Sequence, residues 1–271
     1  MAAKLPRAKK RFGQNFLVAE NILPEIISAA EVSPEDTVLE IGMGTGILTE
    51  ALAARAGQVI SVEIDRELYA EYVPRVAIYP NVHVICGDFL QEAENIFRGA
   101  RGRLKVIANI PYYITTPILE KLLEYRARLS VIVLMVQKEV AERICSEPRN
   151  SAYGSLTVFL RYYADARLIC IVSPECFRPR PQVDSALIRL DVRPELKYQP
   201  LSEKRFFNIV RGAFWGRRKT LRNTLKQSPY THYTAAMLEK LERETGLDLN
   251  RRGETLSIEE FVRLADVDFA S

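Results

Sequence analysis

The run Asn109-Ile110-Pro111-Tyr112 has the residue types to hold and activate an aromatic amine. An exocyclic amine on a flat base is a poor nucleophile, because its lone pair is delocalised into the ring. Two acceptors, the Asn109 side-chain oxygen and the Ile110 carbonyl, match its two N–H groups. Held by both, the nitrogen is favoured in a pyramidal form with its lone pair aimed at an electrophile. Pro111 fixes the backbone so that the Ile110 carbonyl points into a pocket, and Tyr112 offers a ring on which a base can stack. The plain alternative is an Asn-Pro turn ending a buried strand.

A second set of residues could hold the carrier of that electrophile. Glu40-Ile41-Gly42-Met43-Gly44-Thr45-Gly46 combines an acid with G-x-G-x-G spacing. Glycines there let the backbone turn tightly at a helix start, which favours an anion. Dinucleotide sites favour G-x-G-x-x-G; this spacing instead suits S-adenosylmethionine, with its carboxylate at the helix end. Glu63, about 20 residues beyond the glycines, is placed to bind both ribose hydroxyls. Asp88 can accept from an adenine amine, and Phe89 can pack on the ring. Each has a bland counterpart, since Asp65 and Asp88 both stand where helix N-caps belong.

Such residues work together only if strands end side by side. Strand candidates are 37–41, 58–64, 81–86, 104–109 and 129–137, with helix candidates near 46–56, 66–76, 89–98 and 115–125. This alternation predicts a parallel sheet covered on both faces. Residues 137–145 and 152–163 have helical spacing. Runs 166–172 and 185–192 add an antiparallel, hairpin-like edge. The expected fold class is α/β: a Rossmann-like S-adenosylmethionine-dependent methyltransferase domain with a mostly parallel seven-stranded sheet, plus a small all-helical C-terminal domain. Residues 193–200 read as a linker. Segments 202–216, 218–226, 233–244 and 257–266 read as helices, the last opened by a Ser257/Glu260 capping box. The expected division is 1–195, including a basic N-terminal arm, and 196–271 as a helical RNA-binding domain. The polar or glycine-rich ends of the first four strands would line one crevice.

With 271 residues, 48% hydrophobic and 27% charged, the composition is that of a soluble globular protein. The longest apolar run, 131–136, is too short to cross a bilayer, and the N-terminus lacks an apolar signal core. The expectation is a cytoplasmic chain with no membrane partner. Cys86, Cys145, Cys170 and Cys176 form no Cys-x-x-Cys pair and there are only two His, so no metal site is expected and the cysteines read as small buried hydrophobes. The net charge of +4 is unevenly spread. Residues 1–11 carry five Lys or Arg, and residues 211–226 carry six with no acid, interleaved with Phe214 and Trp215. That mixture suits a phosphate backbone with unpaired bases, with Lys9, Lys10, Arg11, Arg217, Arg218, Lys219 and Arg222 as candidate RNA contacts. The alternative is a solvated helix face with Trp215 in the core.

With these residues in hand, the chain resembles the bacterial small-subunit rRNA adenine N6,N6-dimethyltransferases from Arg11 to about residue 265. The likeness rests on Arg11-Phe-Gly-Gln-Asn-Phe-Leu17, the glycine turn with Leu48-Thr49, Asn109–Tyr112, and Met135-Val-Gln-Lys-Glu-Val-Ala-Glu-Arg143. It continues through Phe177-Arg-Pro-Arg-Pro-Gln-Val-Asp-Ser185 and Phe214-Trp-Gly-Arg-Arg-Lys-Thr-Leu-Arg-Asn223. The resemblance implies dimethylation of two adjacent adenosines in a 3′-terminal hairpin loop of small-subunit rRNA, leaving S-adenosylhomocysteine. It implies that Asn15 and Leu17 join Gly42, Glu63, Asp88 and Asn109 at the cofactor, and that Phe177 and Tyr112 sandwich the target base. Tyr113 stands where relatives often have Asn, and Ser173 and Cys176 replace commoner Pro and Ala. The expected substrate is rRNA within a pre-ribosomal particle, and the expected state a monomer. The rivals are a large-subunit rRNA methyltransferase of the macrolide-resistance type and a non-catalytic RNA-binding assembly factor. A dinucleotide oxidoreductase is disfavoured by the glycine spacing.

Overall fold

A computed structural model describes residues 6–9, 12–111, 114–216 and 218–269. The chain divides into two compact units, residues 1–141 with 165–194, and residues 142–164 with 195–271.

The first unit opens with a two-residue strand β1 (Phe16–Leu17) and helix α1 (Leu23–Ala30). Then come β2 (Thr37–Ile41), α2 (Ile47–Ala53), β3 (Gln58–Glu63), α3 (Arg66–Val76), β4 (Val82–Cys86) and α4 (Phe89–Gly99). They are followed by β5 (Leu104–Asn109), α5 (Thr115–Glu124), β6 (Leu129–Gln137) and α6 (Lys138–Ile144). Helix α7 (Ser155–Tyr163) precedes β7 (Ala164–Val172), β8 (Phe177–Arg178) and β9 (Ser185–Val192). Among the described residues the main sheet has seven strands in the order β4-β3-β2-β5-β6-β9-β7. Strands β2 to β6 pair in parallel, and β9 runs antiparallel to β6. The sheet expected from sequence is therefore present, with its antiparallel edge.

Local sequence accounts for this layout. Residues 131–136 of β6 are all buried, as an unbroken apolar run requires when both faces of a strand are covered. Asp65 and Asp88 cap α3 and α4, accepting the N–H groups of Glu67 and Leu90 at 3.1 and 2.9 Å. Two elements were absent from the sequence reading. Helix α1 starts at a proline-bearing first turn and ends at Glu31, whose φ is +51°. Its C-terminus is tied to β9 by the buried Arg189, which donates to the Ala29 carbonyl at 2.7 Å and pairs with Glu31 and Asp191. The second is the small sheet in which β1 pairs antiparallel with β8, Leu17 opposite Phe177. Strands of two residues carry no period to read. The cysteines correct another expectation: Cys86 is exposed and the other three are half-buried, all of them free.

The second unit contains α7 and the helices α8 (Glu203–Ala213), α9 (Leu221–Gln227), α10 (Ala235–Thr245) and α11 (Ile258–Asp266). Ser202, Thr220, Thr234 and Ser257 cap α8 to α11 in turn. Residues 142–164 group here rather than with the α/β part expected from sequence. The reason is aromatic packing: Tyr162 of α7 lies 5.0 and 5.3 Å from the rings of Phe206 and Phe207 on α8, and Phe159 lies 5.4 Å from Phe207.

Candidate functional site

Strand order reverses between β2 and β5, and an open cleft lies there, at the C-terminal ends of β2 to β5. Its floor is the turn after β2. Gly42, Gly44 and Gly46 take φ of +88°, +57° and +80°, a region closed to most side chains. A Cβ on Gly42 would stand 3.6 Å from the Asn109 carbonyl, so the turn and the end of β5 approach closely. The Gly42 N–H donates to the Val62 carbonyl at 2.8 Å, fixing the turn against β3. Helix α2 has only seven residues, so the turn's own backbone, more than a helix dipole, shapes this end of the cleft.

Glu63 ends β3 inside the cleft. Its Oε2 accepts the Gly44 N–H at 2.9 Å and its Oε1 the Asp65 N–H at 2.8 Å. Burial pushes its pKa up, against those two hydrogen bonds. Asp88 and Phe89 line the cleft after β4, with Phe89 buried. Asp88 caps α4 through Oδ1 and also lines the cleft. Asn109, Ile110 and Pro111 line the opposite wall. The Ile114 N–H donates to the Pro111 carbonyl at 3.2 Å.

The N-terminal segment supplies a further wall, with Asn15 and Leu17 both lining the cleft. Two residues hold it: Gln14, which had no role in the sequence reading, and Lys9, which was read as an RNA contact. Gln14 donates from Nε2 to Asp65 at 3.0 Å, and Lys9 donates from Nζ to Asp65 at 2.7 Å while pairing with Glu67 at 3.0 Å. Asp65 is thus both the N-cap of α3 and the anchor of this segment. Burial works to raise its pKa, but the Lys9 and Gln14 hydrogen bonds outweigh it and hold the carboxyl below the usual carboxylate range. Only the acid–cap pattern of Asp65 was visible in the sequence; its partners lie about 50 positions away. Beneath the turn, the fully buried Glu40 accepts the hydroxyls of Thr49 and Ser61 on one oxygen, both at 2.6 Å, and its other oxygen has no partner. Burial pushes its pKa up to about 7 against those two hydrogen bonds.

Several predicted residues stand elsewhere. Phe177 is 1% exposed, packed in the main core with Leu17 rather than lining the cleft, so its core reading describes this structure. Stacking on a base would require it to be uncovered. Lys9 is engaged by Asp65 and Glu67. Arg222 pairs with Glu242 of α10. Arg218 and Lys219 are exposed in the loop between α8 and α9. Tyr112, Lys10, Arg11 and Arg217 lie outside the described residues. Among the described residues no group of three or more His, Cys, Asp or Glu is arranged to hold a metal.

A ligand cleft at the switch point of a mostly parallel sheet, floored by a glycine turn without dinucleotide spacing, is the architecture of the Rossmann-like methyltransferases, and this fold is of that class. Comparison with known proteins narrows it. The chain belongs to the ribosomal RNA adenine dimethylase family, whose sequence pattern matches residues 6–264. It is 46% identical over 257 residues to the ribosomal RNA small subunit methyltransferase A of Clostridium botulinum (strain Loch Maree / Type A3), covering 95% of this chain and 92% of that protein. Among solved structures it is similar to a dimethyladenosine transferase from Plasmodium falciparum, with a TM-score of 0.76 and 29% identity over 92% of this chain and 95% of that one. It is also similar to the 23S rRNA methyltransferase ErmE, with a TM-score of 0.69 and 28% identity over 93% and 98% of the two chains.

Proposed function

We propose that this protein dimethylates the N6 amine of two adjacent adenosines in the 3′-terminal hairpin loop of small-subunit rRNA, using S-adenosylmethionine. The observation that carries this reading is the position of Asn109, Ile110 and Pro111 in the same cleft as Gly42, Glu63 and Asp88. The 46% identity to a small subunit methyltransferase, against 28% to ErmE, favours the small subunit over the large.

The cleft fits the cofactor. A glycine turn held at positive φ, a buried carboxylate at the end of β3, and a second carboxylate beside the apolar Phe89 suit a methionine end, a ribose and an adenine. When bound, S-adenosylmethionine supplies a methyl group on a sulfonium centre, whose product is the neutral thioether S-adenosylhomocysteine. Glu63 accepts the ribose hydroxyls, Asp88 the adenine amine, and Asn15 and Leu17 close the N-terminal wall. The Asn109 side-chain oxygen and the Ile110 carbonyl hold the two protons of the target amine and direct its lone pair. They also face the positive charge that develops on nitrogen. No strong base is needed, because the alkylated amine loses its proton readily, and no metal is invoked. Tyr112 stacks on the base. The second methylation requires the amine grip to loosen. The protein acts as a cytoplasmic monomer on a pre-ribosomal particle, with Arg218 and Lys219 among the residues holding phosphates.

The test is to incubate the purified protein with methyl-labelled S-adenosylmethionine and small ribosomal subunits lacking the modification, then identify the labelled nucleoside. Dimethyladenosine from the 3′-terminal loop is the expected product. Bound RNA with no labelled adenosine would instead support the assembly-factor reading.

A further inference from the structure

The second unit carries an aromatic pair with no role in the chemistry described so far. Trp215 follows α8 and is 58% exposed; Tyr230 follows α9 and is 39% exposed. Their rings meet edge to face, with centroids 5.9 Å apart and planes at 77°. Leaving so much aromatic surface in water is unfavourable, and two such rings together mark a surface that meets a partner.

The backbone next to each ring is tied to its surroundings. Phe214 packs 6.1 Å from Phe261 and 6.0 Å from Tyr153, and the Trp215 N–H donates to the Gly212 carbonyl at 3.2 Å. In the other loop Thr231 Oγ1 donates to the Leu225 carbonyl at 2.6 Å and lies 2.7 Å from Ser228 Oγ. Gly212 lets the two loops meet, since a Cβ there would stand 2.9 Å from Ser228 Oγ and 3.0 Å from Thr231. The ring pair is therefore preorganised.

Charge indicates the partner. No Asp or Glu occurs from Lys204 to Leu238, and eight Lys or Arg do. Arg211, Arg218, Lys219 and Lys226 are exposed. The Lys219 Nζ donates to Gln227 at 2.7 Å, which sets a cation three positions before Tyr230. We propose that Trp215, braced edge to face by Tyr230, is a stacking platform for an unpaired base of the rRNA, with the flanking phosphates held by Arg211, Arg218, Lys219 and Lys226. Stacking accepts any base through its π face, while cations track the backbone. The platform rests on the rRNA substrate reading above and adds to it a contact remote from the methylated base.

Trp215 is the sole tryptophan of the chain, so its emission reports on this site alone. The experiment titrates the full-length protein with protein-free small-subunit rRNA, following tryptophan emission and, separately, filter retention of labelled RNA. Emission should be quenched along the same curve as retention. Trp215→Ala and Tyr230→Ala should each weaken retention, roughly 5- to 150-fold for the tryptophan, with the salt slope unchanged and Trp215→Phe restoring most of the loss. Normal retention with unquenched emission and full-strength binding by Trp215→Ala would overturn the platform and leave the rRNA reading standing. Quenching by intact subunits but not by rRNA would overturn it in favour of a protein contact. No retention of either rRNA or intact small subunits would remove the rRNA reading and the platform with it.

Discussion

The two walls of the cleft are built differently. On the β3 and β4 side each acid is already occupied. Glu63 holds two backbone N–H groups, Asp65 holds Lys9 and Gln14, and Asp88 caps α4. On the β5 side the half-buried Asn109 side chain makes no hydrogen bond among the described residues, and Pro111 has no N–H to offer. The first wall is wired before any ligand arrives and can impose one geometry on a cofactor. The second keeps its acceptors open, so their hydrogen bonds are left for an incoming amine. Binding and chemistry should therefore separate when the two walls are altered one at a time.

The largest effect should fall on the open wall. Asn109→Ala should lower single-turnover methylation by roughly 10²- to 10³-fold, with Tm nearly unchanged and S-adenosylhomocysteine affinity falling far less. An equal loss of cofactor affinity would erase the contrast between the walls. Next comes the buried support of the wired side. Glu40 titrates near 4.5 in the unfolded chain and at about 7 in the folded protein, so between those values the folded state keeps a proton the unfolded state has lost. Stability therefore falls as pH rises through that window and stays low above it. Glu40→Gln cannot ionise. Its stability relative to the natural chain should improve by about 3 kcal/mol between pH 4.5 and pH 8, read from urea midpoints; a flat difference would place Glu40 in ordinary solvent. Glu63→Ala should weaken S-adenosylhomocysteine binding roughly 10- to 100-fold by calorimetry and also lower Tm, because the Gly44 and Asp65 N–H groups lose their acceptor. Unchanged Tm would mean that the wiring is incidental. The smallest effect belongs to Gln14→Ala, which should weaken cofactor binding by at most about fivefold; a larger loss would make the N-terminal wall, more than Glu63, the principal grip.

What could be read in advance follows the range of the signals. The β2 to β6 strands announce themselves as apolar runs, and the glycine turn, Glu63, Asp88 and Asn109 each sit at a strand end where local sequence defines them. Asp65 as the anchor of Lys9 and Gln14 depends on tertiary placement alone. Phe177 was assigned to the target base by resemblance, yet its own neighbourhood of prolines is equally that of a core aromatic, and in the structure it shares a core cluster with Leu17. Residues 142–164 were placed with the sheet because they precede β7 in the chain. Their partners, Phe206 and Phe207, come more than 40 positions later. In Arg222 the basic pattern was correctly seen, but the acid that pairs with it stands a full helix away.

The pairing of β1 with β8 also sets an order of assembly. Leu17 faces Phe177 across about 160 residues of intervening chain. Contacts of that span close late. At translation speeds of roughly 5–20 residues per second, the N-terminal wall of the cleft waits on the order of ten seconds or more for its mate to be synthesised. A truncated or unfinished chain holds the glycine turn and Asn109 without the β1–β8 clasp. The clasp therefore forms only after residue 178 has been synthesised, well after the glycine turn and Asn109.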